Sequence, residues 1–90
     1  MTFEPLRPDV QWGPAEQLDS LLAAGDIGEF FAALGEHART TLGIAKLADN
    51  TKLNRTALYD ALSRDGNPRL RSVTAILREL GMRLSIQPMP

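Results

Sequence analysis

Residues 44–62 read IAKLADNTKLNRTALYDAL, and this stretch constrains the fold of the chain more than any other. Apolar residues recur at Ile44 and Leu47, then at Leu53, then at Leu58 and Leu62. That spacing describes two short helices meeting at a tight turn rather than one long helix or a strand. Asn54 stands where a residue would cap the second helix and leave its first turn pointing outward. Ala48 falls where the two axes cross, and a small side chain there lets them approach closely. A chain built around such a pair needs further helices behind it to bury the apolar faces.

Those helices are legible from their punctuation. Residues 1–13, with Pro5, Pro8 and Gly13, read as an extended arm. Pro14 suits a first helical position, where a missing N–H costs nothing. Leu18, Leu21 and Leu22 form one stripe on a first helix that runs to Ala24 and ends at Gly25. Asp26 followed by Glu29 has the spacing of a capping box. Ile27, Phe30, Phe31, Leu34, Ala38 and Leu42 then follow a helical period up to Gly43. The third helix is expected over residues 44–50, the turn over 51–53 and the fourth helix over 55–64, with Leu58, Ala61 and Leu62 inward. Asn67-Pro68 is expected to start a fifth helix whose inner positions are Leu70, Val73, Ile76, Leu77 and Leu80, with Gly81 as its stop.

The tail over 82–87 alternates: Leu84 and Ile86 on one side, Arg83, Ser85 and Gln87 on the other. This is a strand signal. A lone strand needs a partner, and a second copy, a partner's sheet edge or the arm would each supply one. The expectation is an all-α, five-helix domain over 14–90 with a short C-terminal strand, and Leu84 and Ile86 are candidate dimerisation residues.

Ninety residues make at most one domain. So small a domain has a thin stability margin, which dimerisation would supplement. There is no cysteine, hence no disulfide frame or thiolate metal site. No apolar run approaches the roughly 20 residues of a membrane helix. The N-terminus lacks the basic start and apolar core of a signal peptide. A soluble, cytoplasmic protein is expected.

The net charge of −1 conceals a division. Residues 1–38 hold one base, Arg7, against seven acids, a net −6. Residues 39–90 hold nine bases against four acids, a net +5. Such asymmetry suggests two different partners. The basic half contains the two-helix stretch, whose geometry is that of a DNA-binding helix-turn-helix with its second helix entering the major groove. A plain amphipathic bundle is the alternative.

On the groove-reading view, the outward residues are Arg55, Thr56, Tyr59, Asp60, Ser63 and Arg64. Arg55 suits a fork onto guanine O6 and N7. Thr56 suits a thymine methyl or a phosphate, and Tyr59 a base edge or a phosphate. Lys46, Lys52, Asn67, Arg69 and Arg71 suit backbone contacts that position without reading sequence. Asp60 either accepts from a cytosine or pairs with Arg64 four residues on. Lys52 occupies the turn position where glycine is usual because φ is positive, at a cost on the order of 1 kcal/mol. Thr51 is more polar than the buried residue that usually precedes it.

GIAKLADNTKLNRTALYDALSRDGNPRLRSVTAILRELGMRLSI resembles the HTH-type addiction-module antidote proteins of the Xre/Cro/CI helix-turn-helix group. LNRTALYDALSRDGNPRL and LRELGMRLSI carry most of the likeness, which extends over about 14–86. The resemblance implies an Xre/Cro-like fold. It also implies a bacterial antitoxin that binds a small, basic RelE/ParE-like toxin and represses its own operon as a dimer. The acidic half would then face the toxin, with Trp12, Glu16, Asp19, Asp26 and Glu29 as candidates, while the basic half faces DNA. A stand-alone phage-type repressor and a toxin-binding scaffold without DNA affinity are the alternatives.

The remaining residues offer no chemistry. His37 is the sole histidine and has no ligand cluster near it, so it reads as a helix-boundary residue. Trp12 reads more readily as a cover for its own core than as a hot spot. Phe30 and Phe31 are adjacent, so one is core and the other covers a neighbour. The serines have no histidine partner and the carboxylates are not paired. No catalysis, cofactor or metal is expected.

Overall fold

The computed structural model describes residues 13–90, which form five helices: α1 (Pro14–Ala23), α2 (Ile27–Thr41), α3 (Ile44–Thr51), α4 (Arg55–Ala61) and α5 (Leu70–Glu79). Helix α2 packs against α1 and α3, and α3 against α4 and α5. None of these helices is long and apolar enough to cross a membrane.

The stripes read from the sequence meet in one core. Leu18, Phe30, Leu34, Ala38, Ile44, Leu47, Leu58, Leu62, Val73, Ile76 and Leu77 are buried together. Leu34, Leu47, Leu58 and Ile76 are completely enclosed. Each such burial contributes about 1.5–3 kcal/mol, so α4, with only two turns, is held by Leu58 rather than by helix propensity. Phe30 lies in the core and Phe31 packs edge-on against it, with ring centroids 5.5 Å apart. Gly25, Gly43 and Gly81 follow the ends of α1, α2 and α5 with φ between 76° and 88°, a conformation that an L side chain resists.

Several expectations are corrected. Asp26 precedes α2 but its side chain accepts no capping bond, and Glu29 is engaged elsewhere, so there is no capping box. Ile27 is largely exposed because it begins α2 ahead of the core. Helix α4 stops at Ala61 rather than reaching Arg64. Leu62 leaves helical geometry, and the Ser63 hydroxyl donates to the carbonyl of Asp60 at 2.8 Å.

Helix α5 starts at Leu70 rather than at Asn67-Pro68. Arg69 has ψ 147°, extended rather than helical, and serves as an N-cap with no side-chain bond. Leu70 shares a face with Val73 and Leu77 but sits one turn beyond the edge of the core, 69% exposed. The strand expected over 82–87 is absent. After Met82, whose N–H donates to Leu77 at 2.8 Å, the tail runs without secondary structure. The other elements among the described residues are helices, which offer no edge for a strand to pair with.

Candidate nucleic-acid interface

The connection between α3 and α4 is built from four consecutive residues. Thr51 ends α3 half-buried, and its hydroxyl donates to the carbonyl of Leu47 at 2.6 Å while accepting from the N–H of Leu53 at 3.4 Å. The polarity of Thr51 is thereby used within the turn. Lys52 follows at φ 65°, ψ 18°, in the left-handed region, and its N–H closes α3 on Ala48 at 2.9 Å. It is the one residue other than glycine with positive φ among those described. Leu53 then packs on the core, as does Ala48. Asn54 (φ −77°, ψ 160°) accepts from the N–H of Ala57 through Oδ1 at 2.7 Å, capping α4.

This arrangement presents a polar face with an apolar anchor behind it. Arg55, Thr56 and Tyr59 are exposed on α4, while Leu58 between them is fully buried. Lys46 and Lys52 are exposed on α3 and the turn, and Asn54, Asn67 and Arg69 are exposed as well. At the surface, the Nδ2 of Asn50 donates to Glu79 at 3.1 Å and ties α3 to α5. Nothing in the local sequence pattern signals this pair, which is 29 residues apart.

Two expected groove-facing residues are otherwise engaged. Ser63 is turned back onto its own backbone. Arg64 reaches across to α2, where its Nε and Nη2 fork onto the two carboxylate oxygens of Glu29 at 2.5 and 3.2 Å. The predicted Asp60–Arg64 pair is replaced by this long-range one. The hydrogen bond from Arg64 lowers the pKa of Glu29 below the ordinary carboxylate value, and the same bond raises that of Arg64. Glycines in α2 make the approach possible. A Cβ on Gly28 would lie 2.8 Å from the carbonyl oxygen of Arg64, and one on Gly35 would lie 2.8 Å from that of Leu62. Both glycines look like weak points of a helix when read locally, yet they are where the 62–64 segment rests.

On the acidic side, Glu16, Asp19 and Asp26 are exposed, and Glu29 is shared with Arg64. Trp12 lies outside the described residues. Leu84 and Ile86 are on the unpaired tail, Ile86 almost wholly exposed. His37 is half-buried, with its Nδ1 within 3.2 Å of the Thr41 hydroxyl, a boundary histidine.

The family described as "Probable addiction module antidote protein" matches residues 10–88. An uncharacterized protein of Haemophilus influenzae is 30% identical over 70 residues, covering 78% of this chain and 71% of that one. No solved structure matches. With nearly its whole length matched, and with the helices, caps and turn just described inside the match, the chain belongs to the family of probable addiction module antidote proteins.

Proposed function

We propose that the protein is the antitoxin of a type II toxin–antitoxin module, which binds a small basic toxin of the RelE/ParE-like class and represses its own operon. The observation that carries the DNA half of this reading is the presentation of α4. Its Asn54-capped first turn leaves Arg55, Thr56 and Tyr59 exposed, while Leu58 anchors the helix from behind. A helix so held enters a major groove by its N-terminal residues without rearrangement. Arg55 and Tyr59 take base edges, Thr56 a methyl or a phosphate, and Lys46, Lys52 and Asn67 the phosphates. A homodimer places two copies of α4 about 34 Å apart, on half-sites one turn of DNA apart. The toxin half rests on family membership and on the acidic N-terminal half, with Glu16, Asp19 and Asp26 available to a basic partner. The role is binding, in the bacterial cytoplasm, with no catalysis, cofactor or metal.

The deciding experiment is fluorescence anisotropy of the full chain on its own upstream DNA, at two salt concentrations and against scrambled competitor. Binding that is competitor-resistant and falls with salt is expected, because phosphate contacts release counterions. Weak binding, equal for both DNAs, would reduce the reading to a toxin-binding scaffold.

A further inference from the structure

Leu70 is the large apolar residue of the helical domain that the fold leaves most open to solvent, and it stands between two exposed arginines, Arg69 and Arg71. Two residues before it, Pro68 lines an open cleft of about 520 Å³, whose other lining residues include Ala57 and Ala61, the polar Ser63 and Asn67, and the acids Asp60 and Asp65. The cleft exists because Gly66 allows the linker to fold tightly against the end of α4. A Cβ there would lie 2.5 Å from the carbonyl oxygen of Asp60 and 2.6 Å from that of Ala61. No lysine or arginine lines the cleft, and among the described residues neither aspartate is in an ion pair. An apolar knob flanked by two positive charges therefore stands two residues along the chain from a mixed cleft that carries two negative charges.

We infer that this face is where a second copy of the chain docks, each Leu70 seating in the other copy's cleft with Arg69 and Arg71 opposite Asp60 and Asp65. A two-fold interface brings the same patch of both copies together, so it must be self-complementary. This patch is so in shape and in charge. Knob and hole are only two residues apart, which puts the two-fold axis beside Pro68, next to the end of α4. In the tail, Leu84 lines a pocket with Leu18, Leu22, Phe30 and Leu77 of its own chain, and Ile86 is exposed with no acidic and basic set beside it. Arg69 and Asn67 become interface residues rather than phosphate contacts.

The inference rests on the dimeric part of the reading above, and mass measured without DNA separates the two. The wild-type chain is expected to be a dimer by sedimentation equilibrium. Asp60→Arg with Asp65→Arg, and separately Arg69→Asp with Arg71→Asp, are each expected to raise the dimer dissociation constant at least about tenfold by setting like charges opposite one another. The changes suit the helices that carry them: acids at the start of α5 and a base at the end of α4 agree with capping and helix-dipole preferences. Unchanged circular dichroism is the folding control. Mixing the two variants in equal amounts is expected to restore a dimer, because every knob then meets a cleft of opposite charge. Leu70→Ser alone is expected to weaken the dimer. A wild-type chain that is monomeric throughout would overturn both the dimer and this surface. Variants that remain dimeric, a mixture that fails to associate, or dissociation caused by Ile86→Ser instead would overturn this surface alone.

Discussion

Lys52 holds φ 65° so that the chain can turn from α3 into α4. A left-handed conformation costs an L residue about 1–2 kcal/mol, against the 0.5–1 kcal/mol by which glycine loses in backbone entropy. Lys52→Gly is therefore expected to stabilise the fold by about 0.5–1 kcal/mol in urea unfolding. With the proposed phosphate contact removed, the same variant should bind operator with a shallower salt dependence. Among the described residues, Arg55 is exposed and its side chain makes no hydrogen bond or ion pair. Arg55→Ala is expected to weaken specific operator binding by about 1–3 kcal/mol while the unfolding midpoint stays in place. Equal affinity of mutant and wild type for the operator would remove Arg55 from the base-reading set.

Between elements, the 62–64 segment rests on α2. Glycine in the middle of a helix ordinarily costs about 1 kcal/mol relative to alanine. At Gly35 the sign reverses, because a Cβ would stand 2.8 Å from the carbonyl oxygen of Leu62 and 3.0 Å from its Cβ. Overpacking of this kind costs about 1–3 kcal/mol, so Gly35→Ala is expected to destabilise despite its better helix propensity. The Glu29–Arg64 fork lies on the same seam. The Glu29 carboxyl is lowered in the folded state by the hydrogen bond from Arg64. A depressed folded value means that the pair's contribution is complete above the unfolded carboxyl value of about 4.3 and is lost as pH falls through the lower folded value. Both partners are exposed, so the effect is small and screened by salt. In pH-dependent unfolding, Glu29→Gln should flatten the stability profile on the acid side of that value and leave it parallel to wild type near neutrality.

The whole molecule divides its charge between an acidic start and a basic remainder, and the fold bridges the division at Glu29 and Arg64. If the acidic helices receive a basic toxin, reversing Glu16, Asp19 and Asp26 to lysine should slow association and weaken the complex in a salt-dependent manner, with operator binding unaffected. Toxin binding that survives this reversal at low salt would place the contact elsewhere. Glu29 is left out of that set because its reversal would also release Arg64.

Local pattern alone determines that five helices form and roughly where, that Asn54 caps α4, and most of the apolar stripes that meet in the core, but not the end of α4 or the start of α5. Each of these follows from neighbours within a few positions, through helical period, missing Cβ atoms or short side-chain-to-backbone bonds. The sequence pattern failed where a residue's partner lies far along the chain. Local spacing offers Arg64 the groove or a pair with Asp60, because its partner Glu29 is 35 residues away. Leu70 has the right face for burial, and only the core's extent shows that it overhangs. The alternating tail has the pattern of a strand, but a strand exists only with a neighbour to bond. Gly28 and Gly35 gain their meaning from a segment that folds onto them after two further helices. The tertiary structure decided these points because close approach, ion pairing and burial are properties of what lies opposite in space, which periodicity along one element does not encode.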